Sequence, residues 1–163
     1  MHEKQYYEKY IKRTIELSME AIDNGNNPFG AILIDKNGEV LLEQENIERT
    51  TKDCTGHAET ALMRSASKKY SKDFLWNCTL ITVAEPCAMC SGAIYWGNVG
   101  KVVYGLKEST LLKLTGNNPL NPTMSLNCET VFKAGQKNIE ILGPMMEEEI
   151  IISVKKYWNS LIK

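Results

Sequence analysis

Two short stretches carry residue types that can do chemistry together. One is Glu85-Pro86-Cys87-Ala88-Met89-Cys90, and the other is His57-Ala58-Glu59, thirty residues before Cys87. A Pro-Cys-x-x-Cys in a chain with no secretory character is better suited to a metal than to a disulfide. His57, Cys87 and Cys90 supply one imidazole and two thiolates, a donor set for zinc that leaves the fourth tetrahedral position open to water. Zinc held this way lowers the pKa of water from about 15.7 toward about 7. Glu59 is then free to take the water proton and deliver it to a substrate. A competing arrangement uses Cys54, whose Cys54-x-x-His57 spacing would close the site as a structural Cys3His centre.

The elements that must position these residues follow from patterning. Tyr7, Ile11, Ile15, Met19 and Ile22 fall at helical spacing, and Asp23-Asn24-Gly25 supplies a stop. Ala31 to Ile34 is a short apolar run. Asp35-Lys36-Asn37-Gly38 gives turn chemistry and Glu39 to Glu43 returns, which predicts a hairpin. A helix is expected from His57 to about Ser67, with Lys68 and Lys69 at its C-terminal end, where positive charge suits the dipole. Thr79 to Val83 reads as a third strand. Cys87 opens a helix closing at Gly97, and Val99 to Tyr104 is a fourth strand, parallel to the third because a crossover joins them.

Further along, Glu108 to Leu114 reads as a short helix and Thr115 to Pro122 as loop. Asn127 caps a helix ending at Gly135, Ile139 to Leu142 is a fifth strand, and a final helix ends near Leu161. About five helices and five strands imply an α/β layered domain, with the hairpin antiparallel and the other strands parallel. Cys87 and Cys90 share a helix face. The positive helix end at Cys87 lowers thiol pKa values and helps a metal displace the protons.

Composition narrows the function classes. The chain has 163 residues, 43% hydrophobic and 24% charged, a length suited to one domain spanning 1–163. No apolar run approaches the roughly 20 residues of a membrane span, and the first residues lack the apolar core of a signal peptide, so a cytoplasmic location is expected. Five cysteines at irregular spacing argue against a disulfide framework. A net charge of -1 gives no global attraction to nucleic acid. Lys9, Lys12, Arg13, Lys155, Lys156 and Lys163 remain candidates for a local basic rim. Cys78 and Cys128 read as small buried hydrophobes.

His-x-Glu followed by Pro-Cys-x-x-Cys resembles the signature of the zinc nucleobase deaminases of the cytidine/deoxycytidylate deaminase superfamily. Pro28-Phe29-Gly30-Ala31 and Cys90-Ser91-Gly92-Ala93-Ile94-Tyr95-Trp96 are most similar to the bacterial guanine deaminases within it. The resemblance implies a three-layer α/β/α sandwich with a five-stranded mixed sheet, a homodimer, bound Zn2+, and hydrolysis of an exocyclic amine to release ammonia. It also implies site residues: Phe29 stacking on the base, Asn46 hydrogen-bonding it, Ala58 beside the ligand set, and Trp96 walling the pocket. Tyr157 and Trp158 are placed in a C-terminal lid. The substrate implied is a small nucleobase or nucleoside, with guanine first and cytosine or isocytosine behind it. A tRNA adenosine deaminase is the alternative with the same core motifs. The segment from Lys107 to Glu129 is unlike the guanine enzymes.

Overall fold

The computed structural model describes residues 2–116 and 118–161. Asn117 and Lys163, named above within the expected loop and the basic candidates, lie outside the described residues. Helix α1 spans Glu3–Asp23 and stops where Gly25 adopts a φ of +87°, in the left-handed region that glycine enters at low cost. The hairpin follows as β1, Gly30–Ile34, and β2, Val40–Glu45. Its turn is held by Asp35, whose Oδ1 accepts hydrogen bonds from the amides of Asn37 and Glu39.

A four-residue helix α2, Glu48–Thr51, leads to α3, Ala58–Lys69, and a short α4, Lys72–Trp76, leads to β3, Thr79–Ala84. Helix α5, Ala88–Gly97, crosses over to β4, Lys101–Leu106. Then come α6, Glu108–Thr115, α7, Cys128–Lys133, β5, Glu140–Leu142, and α8, Glu147–Ser160. Asn127 caps α7 as expected, its Oδ1 accepting from the Thr130 amide at 2.8 Å. Neither α2 nor α4 was expected, because four or five residues show no helical period.

The five strands form one sheet in the order β2-β1-β3-β4-β5. Strands β3, β4 and β5 run parallel, but β1 pairs with β3 antiparallel, Ala31 opposite Thr82 and Ile34 opposite Thr79. This corrects the expectation that only the hairpin pairing is antiparallel. The reason is parity: the α2–α4 crossover returns β3 in the direction of β2, the strand it leaves, and β1 lies between the two.

Alternation along the strands fills two cores. Ile32, Ile34, Ile81, Val83 and Val103 point into one, against Ile11 and Leu17 of α1 and Ile150, Val154 and Trp158 of α8. Ala31, Leu33, Leu80, Val102 and Tyr104 point into the other, against α3, α4, α5 and α7. Helices on both faces leave β1 and β3 buried throughout, the expected state of strands covered on both sides. The molecule is therefore the three-layer α/β/α sandwich with a five-stranded mixed sheet.

One sheet edge collects the chemistry. Strands β3 and β4 end there, β2 ends there at Asn46, and antiparallel β1 begins there after Phe29, whose carbonyl accepts from the Asn46 amide at 3.0 Å. Gly105 in β4 lets α8 approach: a Cβ at this position would collide with Ile150 Cδ1 of α8 and would sit 2.6 Å from the Val83 carbonyl oxygen of β3. The Gly105→Ala variant is expected to lose about 1–3 kcal/mol by forcing these layers apart, read as a lower urea midpoint at unchanged slope.

Candidate active site and metal centre

His57 and Cys87 are both N-caps, with extended backbone at the residue before α3 and α5 respectively. Each leaves its strand-edge connection pointing the positive end of a helix at the same spot. The helices pack face to face, and Thr60 Oγ1 of α3 lies 3.2 Å from Cys90 Sγ of α5. His57 Nδ1 stands 3.5 Å from Cys87 Sγ and 3.6 Å from Cys90 Sγ. The donor atoms of these three residues lie within 4.8 Å of one another.

The spacing fits zinc. A tetrahedral ion at about 2.0 Å from nitrogen and about 2.3 Å from sulfur requires an N···S separation of about 3.6 Å. Cys87 is held well below the usual thiol range by its hydrogen bond with Cys90 and, against the cost of burial, by the neighbouring His57. Cys90 is pushed the other way by Cys87 and by burial. The pair thus shares one thiolate readily, and a cation is needed to draw off the second proton. His57 turns its other nitrogen outward, with Nε2 3.5 Å from the Glu48 carboxylate. That contact suits a proton on Nε2, which leaves Nδ1, the nitrogen facing the two sulfurs, to bind a metal. Cys54 is exposed on the rim and stands outside the three-residue group.

Glu59 is 5% exposed, two residues after His57. Its Oε1 accepts from Thr82 Oγ1 of β3 at 2.7 Å, while Oε2 lies 3.5 Å from Cys90 Sγ. Burial and the nearby Cys87 raise its pKa above the ordinary carboxylate value, partly offset by His57. A carboxyl so placed holds a proton more readily than an exposed one, as a group that takes and returns a proton must.

These groups open onto a cavity of about 280 Å3. Phe29 and Leu111 give it apolar walls, and residues Leu120 to Met124 of the α6–α7 connection close one side. Glu48, Glu59, Glu85 and Glu108 line it as well, with no lysine or arginine among the described lining residues. Glu85 is anchored by two backbone amides, Glu108 N to Oε2 at 2.9 Å and Cys128 N to Oε1 at 3.0 Å. Glu108 is pushed up to about 8, first by burial and then by Cys87, Glu85 and Glu59.

The expected site residues divide on this geometry. His57, Glu59, Cys87, Cys90 and Phe29 come together. Asn46 is buried at the same edge but lies outside the cavity lining, and its Oδ1 accepts from the Glu48 amide at 3.0 Å, which holds the loop carrying Glu48. Ala58 buries its side chain in the core beneath α3 and offers the site only the unpaired amide of a first helical turn. Trp96 lies outside the cavity lining: it is 72% exposed, edge-on to Tyr95. Six residues beyond Cys90 is a rotation of about 240°, which turns it off the metal-facing side of α5.

Tyr157 and Trp158 do not form a lid either. Trp158 is buried behind Phe29, ring centroids 6.1 Å apart, and the Tyr157 hydroxyl donates to Asn27 Oδ1 at 2.6 Å. Arg13, one of the basic candidates, is engaged with Glu16, Glu20 and Glu43. Glu48, Glu85, Glu108 and the residues 120–124 went unassigned from sequence. Only Glu85 carried a signal, its place immediately before Pro86-Cys87.

Removal of the carboxylate behind His57 should weaken metal binding without abolishing it. Glu48→Gln is expected to lower zinc affinity about 10- to 100-fold in chelator competition, whereas Cys54→Ser leaves it unchanged.

Comparison with known proteins agrees with this geometry. Residues 4–106 match the cytidine and deoxycytidylate deaminase zinc-binding region, a span containing His57, Glu59, Cys87 and Cys90. A probable cytosine deaminase of Schizosaccharomyces pombe is 37% identical over 150 residues, covering 92% of this chain and 91% of that one. The guanine deaminase of Bacillus subtilis is 38% identical over 104 residues, 63% of this chain and 66% of its own. Among solved structures, a guanine deaminase from Nitrosomonas europaea superposes with a TM-score of 0.74 at 22% identity, covering 91% of this chain and 82% of the other. With the His/Cys/Cys group, the buried glutamate and the sheet order all in place, the chain belongs to the cytidine and deoxycytidylate deaminase family of zinc-binding hydrolases.

Proposed function

We propose that this protein hydrolyses the exocyclic amine of a free nucleobase, converting guanine to xanthine with release of ammonia. The observation that carries the reading is the cavity itself, where Glu59 and the metal-ligand group meet an enclosed space whose charged lining is acidic. At about 280 Å3 it lies near the lower end of the range of about 300–1,000 Å3 for small-molecule sites. A lining with four carboxyl groups, and with no lysine or arginine among its described residues, suits a neutral ring rich in N–H donors. It is a poor receptor for the phosphates that dominate nucleic-acid binding, which weighs against a tRNA substrate.

Zinc at His57, Cys87 and Cys90 supplies Lewis acidity that makes water acidic enough to ionise near neutral pH. The chain does the rest. Phe29 and Leu111 sandwich or flank the ring in an apolar slot. Glu59 takes a proton from the water as its oxygen adds to the amine-bearing carbon, and delivers a proton to the adjacent ring nitrogen. Glu59 then takes the remaining proton from the new hydroxyl and passes it to the amine, so that the carbon–oxygen double bond forms as the carbon–nitrogen bond breaks, giving the lactam and ammonia. Thr82 holds Oε1 throughout, so that the proton moves through Oε2, the oxygen on the metal side.

Cytosine is the second reading. It is favoured by the similarity to the Schizosaccharomyces pombe protein, which extends over 92% of this chain, beyond the region shared with the guanine enzyme. A homodimer and a cytoplasmic setting belong to the same reading and rest on the family resemblance.

Ammonia release from zinc-loaded protein, assayed with guanine, cytosine, isocytosine, guanosine and an anticodon hairpin, tests the proposal. Turnover of guanine is expected, and Glu59→Gln should lower it by about 10²- to 10⁴-fold while keeping its zinc. Turnover of the hairpin alone would overturn the proposal.

A further inference from the structure

The first residue of α6 places a buried carboxyl on the cavity wall that no part of the reaction described above uses. Glu108 is 6% exposed, and its Oε2 has no hydrogen-bond partner among the described residues. A buried polar atom left unpaired is costly, so its retention calls for a partner that comes and goes. Inside the protein the nearest candidate does not meet it: Glu85 accepts from the amides of Glu108 and Cys128, and no side-chain hydrogen bond joins the two carboxyl groups among the described residues. The described lining provides no cation to pair with it.

Accepting the nucleobase deaminase reading, we propose that Glu108 is a specificity-determining residue that reads the substrate edge on which a ring N–H stands beside a carbonyl or ring nitrogen. A neutral carboxyl presents one O–H donor and one carbonyl acceptor side by side, the complement of such a lactam or amidine edge. Glu108 reaches the cavity from β4 and α6, whereas His57 and Glu59 reach it from α3 and the Cys87 pair from α5. The ring is thereby held by an element other than those that carry the proton-transfer machinery, which sets which amine faces Glu59. A site that hydrogen-bonds a substrate edge also rejects rings lacking it, because its own polar group is then stranded.

The test compares Glu108→Leu and Glu108→Gln with wild type in zinc-loaded protein, using guanine and cytosine as substrates together with zinc content and thermal midpoint. Glu108→Leu is expected to lose about 10- to 100-fold in kcat/KM, mostly through KM. Its zinc content should be unchanged and its thermal midpoint equal or a few degrees higher, since an unpartnered buried oxygen has been removed. Glu108→Gln, whose amide also offers a donor beside an acceptor, should restore most of the activity.

A fall in thermal midpoint or zinc content parallel to the activity loss would make Glu108 structural and overturn the proposal. So would unchanged kcat/KM in Glu108→Leu, or a loss in Glu108→Gln as large as in Glu108→Leu. Wild-type protein inactive on both bases would overturn the deaminase substrate assignment along with it, whereas active wild type with an indifferent Glu108→Leu counts against Glu108 alone.

Discussion

Helices α3 and α5 begin at the same sheet edge and pack against each other, and this one convergence determines the site. His57 and Cys87 are the caps of those helices, so neither can move without moving a helix whose opposite face is core. The 3.5 and 3.6 Å separations from His57 Nδ1 to the two sulfurs follow from how these two helices pack. Glu59 shares the arrangement. In the first turn of α3 its carboxylate accepts from Thr82 of β3, which holds its orientation, and it is buried away from bulk water.

Electrostatics around that point are unbalanced by design of the fold. Two helix N-termini bring partial positive charge, a metal would bring two more units, and against them stand Glu48, Glu59, Glu85 and Glu108. The four differ in how they are held. Glu48 leans on the imidazole, Glu59 is paired with a hydroxyl, and Glu85 is tied down by two amides. Glu108 is the member with an oxygen to spare. Different restraints suit chemically identical groups to different work: Glu48 faces the imidazole, Glu85 supports the loop that carries α6, and in the proposed reaction Glu59 moves protons.

The metal group and its glutamate were legible in the sequence because spacing around a helix start is local: His57-x-Glu59 and Cys87-x-x-Cys90 need no knowledge of the fold. The layered architecture was legible for the same reason, since period-two and period-3.6 patterns alternate along the chain. The β1–β3 seam was misread because strand direction depends on which strand a crossover returns beside, a non-local fact. Trp96 was drawn into the pocket by its place in a motif, although helical rotation from Cys90 turns it to the outside. Tyr157 and Trp158 read as a lid, but an aromatic pair on an amphipathic helix also serves as core, and Trp158 does so by backing Phe29. Glu108 was invisible, being one acidic residue among several at helix starts until the fold showed which was buried.

The measurement that bears most directly on an open metal site is X-ray absorption at the zinc edge of the loaded protein. Two sulfur scatterers at about 2.3 Å with two nitrogen or oxygen scatterers at about 2.0–2.1 Å are expected, from Cys87, Cys90, His57 and an exchangeable oxygen. Three sulfurs, with Cys54 recruited as the third, would close the fourth position and contradict the account.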